Sequence, residues 1–349
     1  MMENRKIYLS FVVPCYNSQN YMARCIESLL PGGEDVEIII IDDGSKDRTG
    51  AIADEYQEKY PDLVKVIHKE NGGHGSGVNA GLACAKGIYF KVVDSDDWLK
   101  GDAYRKLLEK IRYYCKEEKT CKEMPDLFVC NYVYNHLEEQ VTRSMGYKNV
   151  FPVEKICHWS EIGHFLPSQY LVMHALIYRT EVLRQSGIVL PEHTFYVDNL
   201  FAYCPLPYVR NIFYMDIDLY QYYLGRDDQS VNEQVLKSRI DQQMKVTRMV
   251  IAGADLEKIK EKEPKLASYM CRNISIMMAI SSIHLLLIGN KEALEKRKKL
   301  WEEIKISDPK LYYKLKYASL SGWTDLPGTV GRRLTVGGYR LANVVYRFQ

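Results

Sequence analysis

The sequence predicts an α/β protein built on a doubly wound, mainly parallel sheet, with a helical extension towards its C-terminal end. Three observations carry this expectation. Before residue 100, apolar runs short enough for buried strands alternate four times with stretches of helical spacing. The stretches between runs are long enough for crossover helices, which parallel strands require. Every run closes on polar or glycine residues, so these ends converge on one edge of the sheet, where open α/β sheets hold ligands.

The elements follow in order. Ile7–Val13 is a buried strand closed by Pro14-Cys15-Tyr16-Asn17. Tyr21–Leu30 is a helix with Met22, Ile26, Leu29 and Leu30 on one side. Val36–Ile41 is a strand closed by Asp42-Asp43-Gly44-Ser45, and Asp47–Tyr60 a helix with Asp47 as its N-cap. Leu63–Ile67 is a third strand, followed by Asn71-Gly72-Gly73-His74-Gly75-Ser76-Gly77 and a helix over Val78–Ala85. A fourth strand runs into Asp94-Ser95-Asp96-Asp97. Asp94 and Asp96 share a face if the chain is fully extended, and carboxylates so placed suit Mg²⁺ or Mn²⁺. The competing reading is structural, with Asp97 capping a helix that begins near Trp98.

Gly101–Lys119 is an amphipathic helix, and Asp126–Tyr134 a strand that turns through Glu138–Thr142. A helix near Ser160, the segment Tyr170–Tyr178 and a helix from Thr180 lead into Leu190–Tyr203, which carries His193, Tyr196, Asp198 and Asn199. Tyr208–Tyr223 is aromatic and β-like, and ends in Leu224-Gly225-Arg226-Asp227-Asp228-Gln229-Ser230. From residue 231 to 349 the chain is mostly helical. Asn273–Asn290 has no formal charge over 18 residues but holds three serines and a histidine, which favours a buried helix over a membrane span. Gly331–Gln349 has four arginines and no acid; Leu341, Val344, Val345 and Phe348 fall on one face, and Arg333, Arg340 and Arg347 recur every seven residues. Two readings stay open for this helix: contact with an anionic membrane surface, or docking on the protein with a solvated basic face.

Composition narrows the function. Of 349 residues, 46% are hydrophobic and 26% charged, ample for a core, and a net charge of +2 argues against a dedicated nucleic-acid binder. Nine cysteines without Cys-x-x-Cys spacing, and no secretory signal, predict reduced, buried thiols in a cytoplasmic protein. The 27 tyrosines concentrate between Tyr104 and Tyr223, a surface that suits sugars as well as plain packing.

Taken together and in this order, the four strand ends resemble family 2 glycosyltransferases with the GT-A fold, over residues 7–230. The resemblance implies a donor half at about 1–100 and an acceptor half at about 101–230. It also implies inverting transfer of a sugar from a nucleotide-sugar donor, UDP-linked, to a hydroxyl of a glycan or lipid-linked acceptor in surface-polysaccharide or cell-wall synthesis. Pro14, Tyr16 and Asn17 then belong to the nucleotide site, with Tyr16 as a wall for the base and Asp42 or Asp43 accepting from a base N–H. Gly73, His74, Ser76 and Asn79 form the donor loop, where glycine lets backbone N–H groups approach closely. Asp94 and Ser95 lie near the ribose, and Asp96 with Asp94 holds a divalent cation, Mn²⁺ or Mg²⁺. Relatives carry a Glu-Asp pair where this chain has Val197-Asp198, so the base role falls on Asp198 alone. Arg226 is placed to pair with the diphosphate. Val78 stands where many relatives have arginine, which leaves His74, Lys69 or Arg226 to supply that phosphate contact. His174 stands where relatives have Asn-Lys, and faces the acceptor or is a satisfied core residue. The enzyme is expected in the cytoplasm, at the inner face of the membrane. Two other readings share the residues: a sugar nucleotidyltransferase, and a non-catalytic nucleotide-sugar-binding protein.

Overall fold

The computed structural model describes residues 5–115, 124–136, 141–167, 169–225 and 233–346, with side chains as far as Leu341. The chain divides into two compact units, Met1–Gly225 and Arg226–Gln349.

In the first unit, β1 (Leu9–Cys15), β2 (Val36–Asp42), β3 (Val64–His68) and β4 (Tyr89–Val92) alternate with α1 (Met22–Leu29), α2 (Thr49–Lys59) and α3 (His74–Cys84). The short β5 (Trp98–Leu99) and α4 (Gly101–Cys115) follow, then β6 (Leu127–His136), β7 (Val141–Met145), β8 (Ile156–Cys157), β9 (Leu176–Arg179), α5 (Thr180–Ser186), α6 (Asp198–Tyr203) and β10 (Ile212–Leu224). The sheet order is β3-β2-β1-β4-β9-β6-β10-β5, with β7 on β6 and β8 on β10. β1 pairs in parallel with β2 and β4, β2 with β3, and β6 with β10. This is the expected mainly parallel, doubly wound sheet. β1, β2 and β4 are buried along their whole length, which explains their unbroken apolar runs.

Three local expectations are corrected, and one strand that the sequence left unassigned takes its place. β1 continues through Pro14 to Cys15. Its β4 partner register stops at Val12↔Val92, so the missing proline N–H lies beyond that ladder. Helix α2 begins at Thr49 and its N-cap is Arg48; Asp47 instead accepts from the Thr49 N–H at 2.9 Å, closing the turn before it. β9 runs antiparallel between β4 and β6, because Arg179 and Thr180 tie its end to Asp126 and Ile88 by backbone hydrogen bonds. No helix starts at Trp98. Trp98–Leu99 pairs antiparallel with Tyr220 and Gln221, and Asp97 turns inward rather than capping.

The second unit is helical: α7 (Glu233–Ser238), α8 (Ile240–Ala252), α9 (Leu256–Lys262), α10 (Pro264–Ile288), α11 (Lys291–Ser307), α12 (Pro309–Tyr317), a 3₁₀ turn (Leu320–Asp325) and α13 (Gly328–Tyr346). Side chains of Asp255, Asn290 and Asp308 cap α9, α11 and α12. α10 is the apolar stretch long enough to cross a membrane, and 67% of its most apolar window is buried within the protein. Its serines bond neighbouring helices: Ser281 to Thr247 at 2.9 Å, and Ser282 to the Trp301 indole at 3.2 Å. It is the core helix of this unit, as its serines and histidine suggested. All eight described cysteines are free thiols, six of them buried.

Candidate active site

The C-terminal ends of β1, β2 and β4 meet along one edge. Asn17, in a left-handed conformation at φ 49°, accepts from the Lys46 N–H at 2.9 Å and donates its own N–H to Ser45 Oγ at 3.1 Å, fastening the β1 end to the β2 end. Ser18 Oγ meets Ser95 Oγ at 2.8 Å, fastening the β1 end to the acidic turn. Tyr16 is left half exposed beside these joints. Pro14 lies beneath, against α3, where a side chain on Gly77 would press on the proline ring at 3.1 Å.

Asp42 and Asp43 are buried and committed to the protein. Asp42 accepts from the Ser45 N–H at 3.1 Å and faces His68 Nδ1 at 2.9 Å. Burial resists its ionisation, but the bonds from Ser45 and His68 outweigh that and hold its carboxyl below the ordinary range. Asp43 Oδ1 accepts from Lys69 Nζ at 2.7 Å and the Gly72 N–H at 2.9 Å; Oδ2 accepts from the Gly73 N–H at 2.7 Å and Asn71 Nδ2 at 3.1 Å. Four donors occupy this carboxylate. Asp43 therefore builds the glycine loop, and Lys69 is spent on Asp43 rather than free for a phosphate. Gly73, at φ 84°, makes the left-handed turn that starts α3, a geometry glycine supplies without strain.

α3 begins one turn earlier than the spacing suggested, at His74, and this aims the imidazole at the acids. His74 Nε2 lies 2.8 Å from Asp94 Oδ1, and His174 Nε2 lies 3.3 Å from Asp94 Oδ2. His174 is held in a 3₁₀ turn, Met173–Ala175, with its ring 4.7 Å from those of both Tyr220 and Tyr222. Beneath it, the buried Lys91 donates Nζ to the His174 carbonyl at 2.8 Å and the Leu176 carbonyl at 3.4 Å.

The acidic motif is a turn, not an extended strand end: the Asp97 N–H donates to the Asp94 carbonyl at 3.0 Å. The face-sharing expected of Asp94 and Asp96 does not apply to a turn. It is Asp97 that folds back beside Asp94, and ligand atoms of Asp94, Asp97 and His174 lie within 4.8 Å of one another. Asp96, expected as a ligand, is outside that group. Asp97 accepts from the Tyr220 hydroxyl at 2.6 Å and the Tyr223 N–H at 2.8 Å. Burial disfavours ionising Asp94, yet His74 and His174 pull its carboxyl far below the usual range. Burial, with Asp96 and Asp94 close by, pushes Asp97 well above it. Two oxygens and one imidazole around a site with this charge imbalance fit a divalent cation, which lets both acids ionise.

Asp198 is the first residue of α6, and Val197 is the N-cap. Burial raises the Asp198 carboxyl, while the nearby His174 and His74 lower it and Asp94 raises it further. Asp198 thus feels the same cluster as Asp94. The 190–197 segment carries it there. Asn79 clamps that segment, its side chain donating to the Leu190 carbonyl at 2.8 Å and accepting from the Leu190 N–H at 3.0 Å. Ser76 donates to Glu192 at 2.8 Å. Asn79 and Ser76 therefore tie α3 to the 190–197 segment rather than pointing into open space. Arg226 and its loop lie outside the described residues, as do the Glu138–Thr142 hairpin tip before Val141 and the side chains of Val344, Val345, Arg347 and Phe348. Sequence reasoning put Asp97 in the acidic motif but not among the cation ligands, did not place Lys91 in the site, and left His174 undecided.

Residues 10–117 match the family model described as glycosyl transferase family 2. The mainly parallel sheet and its flanking helices form a GT-A fold. Over 96% of this chain and 92% of that one, the structure superposes on a crystal structure of S. aureus TarS 1-349 in complex with UDP, with TM-score 0.66 and 19% identity. The mannosyltransferase PcManGT from Pyrobaculum calidifontis, in complex with GDP-Man and Mn²⁺, matches over 98% of this chain and 88% of that one, with TM-score 0.52 and 13% identity. Among curated relatives, the putative glycosyltransferase EpsH of Bacillus subtilis is 39% identical over 126 residues, 36% of this chain and 33% of that protein. The matched segment spans about a third of that relative's length.

Proposed function

We propose that the protein is an inverting glycosyltransferase that moves a sugar from a UDP-linked donor to a hydroxyl of a glycan or lipid-linked acceptor in surface-polysaccharide or cell-wall synthesis. One observation carries the reading: the glycine loop through His74, the acidic turn through Asp94, and the acceptor segment through Asp198 meet at a single electrostatic cluster. The half-exposed Tyr16 offers the base its wall, and the loop whose Gly72 and Gly73 N–H groups are held by Asp43 brings His74 to the acidic turn. Asp94, Asp97 and His174 would hold Mn²⁺ or Mg²⁺, which when bound neutralises charge on the leaving nucleoside diphosphate. Asp198, with its carboxyl raised by burial, takes the proton from the acceptor hydroxyl as that oxygen attacks the anomeric carbon. The UDP bound to TarS supports this donor, and the Mn²⁺ bound to PcManGT beside GDP-Man supports the cation.

A thermal-shift panel of nucleotides and nucleotide sugars, with and without Mn²⁺, tests the donor; UDP-sugars are expected to raise the melting temperature only with the cation present. Asp198→Asn is then expected to keep that shift while transfer falls by about 10²–10⁴-fold. A UDP shift indifferent to Mn²⁺, with no turnover in the unaltered protein, would instead make this a sugar-nucleotide sensor.

A further inference from the structure

We propose that the second unit binds an anionic lipid bilayer through the surface formed by α12, the Leu320–Asp325 turn and α13. Eight of the sixteen large hydrophobic side chains that stand exposed among the described residues lie between Ile306 and Leu341. Scattered apolar residues on a surface need no explanation, but a concentration of this kind marks an interaction site.

The exposed side chains are ordered. On α12, Lys310, Tyr313, Lys314 and Tyr317 share the outward face, and the two tyrosine rings stack 5.9 Å apart at 22°. Leu320 and Trp323 project from the turn, which Ser321 anchors by donating its N–H to Ser275 of α10 at 3.0 Å. Thr335 of α13 donates from its inner face to the Trp323 carbonyl at 2.9 Å. The outer face of α13 carries Val330, Arg333, Leu334, Arg340 and Leu341; Arg333 and Leu334 follow Val330 by three and four residues, and Arg340 and Leu341 follow those by seven, as one helical stripe requires. The exposed stripe thus begins a full turn and more before Leu341.

Charge selects the occupant. From Pro309 to Gln349 there are seven lysines and arginines and one acid, Asp325. That acid is engaged by Arg297 at 2.7 Å and by Lys316. Cations flanking exposed Trp, Tyr and Leu match a bilayer interface with anionic head groups. A second copy of the same face would set cations against cations. That the acceptor is presented at such a surface rests on the reading above; the surface itself does not.

The test is co-sedimentation of the full chain with vesicles of phosphatidylcholine alone and of phosphatidylcholine mixed with phosphatidylglycerol. Binding is expected to the anionic vesicles only and to weaken with salt. The pair Arg333→Gln and Arg340→Gln should weaken it roughly thirty-fold, and the pair Trp323→Ser and Leu334→Ser by about ten-fold or more. Both pairs are exposed, so circular dichroism and UDP binding should be unchanged. Folded protein that ignores anionic vesicles overturns the proposal. So does a dimer, seen by light scattering, that Leu334→Ser dissolves while vesicles remain unbound. Vesicle binding without any nucleotide binding would sink the glycosyltransferase reading and leave this surface standing.

Discussion

Replacing Asp43 with asparagine tests whether the glycine loop is held by one carboxylate. The side chain is 4% exposed and takes four donors: Lys69 Nζ, the Gly72 and Gly73 N–H groups, and Asn71 Nδ2. Asparagine keeps the shape but offers one oxygen. Its amide NH₂ must then face two donors, either the Lys69 and Gly72 pair or the Gly73 and Asn71 pair. A buried donor left unmatched costs about 1–3 kcal/mol, and removing the charge that Lys69 answers brings the whole to roughly 3–5 kcal/mol. A loop free to open would let water satisfy those donors and return most of the penalty. The assay is therefore double: the urea midpoint at unchanged slope, and hydrogen exchange of the Gly72 and Gly73 amides. Both should move, and UDP should bind more weakly because the loop is no longer pre-formed. A loss under about 1 kcal/mol, with both amides exchanging at their original rates, would mean that Asp43 does not organise the loop.

Three further outcomes follow from the site. Chelation with EDTA should abolish transfer and added Mn²⁺ restore it, and His174→Ala should raise the Mn²⁺ required by at least about 10-fold, measured by titrating donor hydrolysis. Lys91→Met should leave the chain folded, since methionine fills the same apolar space, yet release the turn that Lys91 holds through the His174 and Leu176 carbonyls; a lower kcat with unchanged UDP affinity is expected. His68 carries a raised pKa because of its hydrogen bonds to Asp42 and then Asp54, while Asp42 is lowered. A raised histidine contributes stability below its ordinary 6.5 and loses it as pH climbs through the folded value; a lowered aspartate contributes above its ordinary 3.8 and loses it on acidification. The clamp is strongest between those limits, so the melting-temperature gap between the unaltered protein and His68→Asn should be widest there and close at alkaline pH.

What the sequence made legible was local. The strand runs of β1, β2 and β4 are buried on both faces, so their apolar character is continuous, and Asp42-Asp43-Gly44 must end a strand whatever the rest of the chain does. The antiparallel β9 was not legible, because its place between β4 and β6 is decided by partners at Asp126 and Ile88, remote in sequence. The pairing expected within the acidic motif differs for a related reason. A two-residue spacing says which side chains share a face only on an extended chain; the Asp97 N–H closing on the Asp94 carbonyl makes a turn, and a different pair of acids faces inward. His174 gave no signal in its apolar run, since what makes it a site residue is the Asp94 carboxylate 80 positions earlier.

The loop before α6 shows how the two halves of the first unit become one device. His193 and Tyr196 both adopt left-handed backbone, at φ 46° and 66°, where side chains other than glycine are strained. Such strain persists only where surrounding contacts over-determine it. Here they do: the His193 N–H donates to the Gly72 carbonyl at 2.6 Å, Asn79 brackets Leu190 with two bonds, and Gly75 leaves no room for a side chain, since one would meet Leu190 and the Pro191 carbonyl at 2.9 Å. Every one of these partners belongs to the glycine loop or to α3. The position of Asp198 is therefore fixed from the donor side, by the same backbone that Asp43 organises. On the proposed function, disturbing the loop displaces the acid as well as the donor, so donor affinity and proton removal are linked through the His193–Gly72 hydrogen bond and the short backbone from His193 to Asp198.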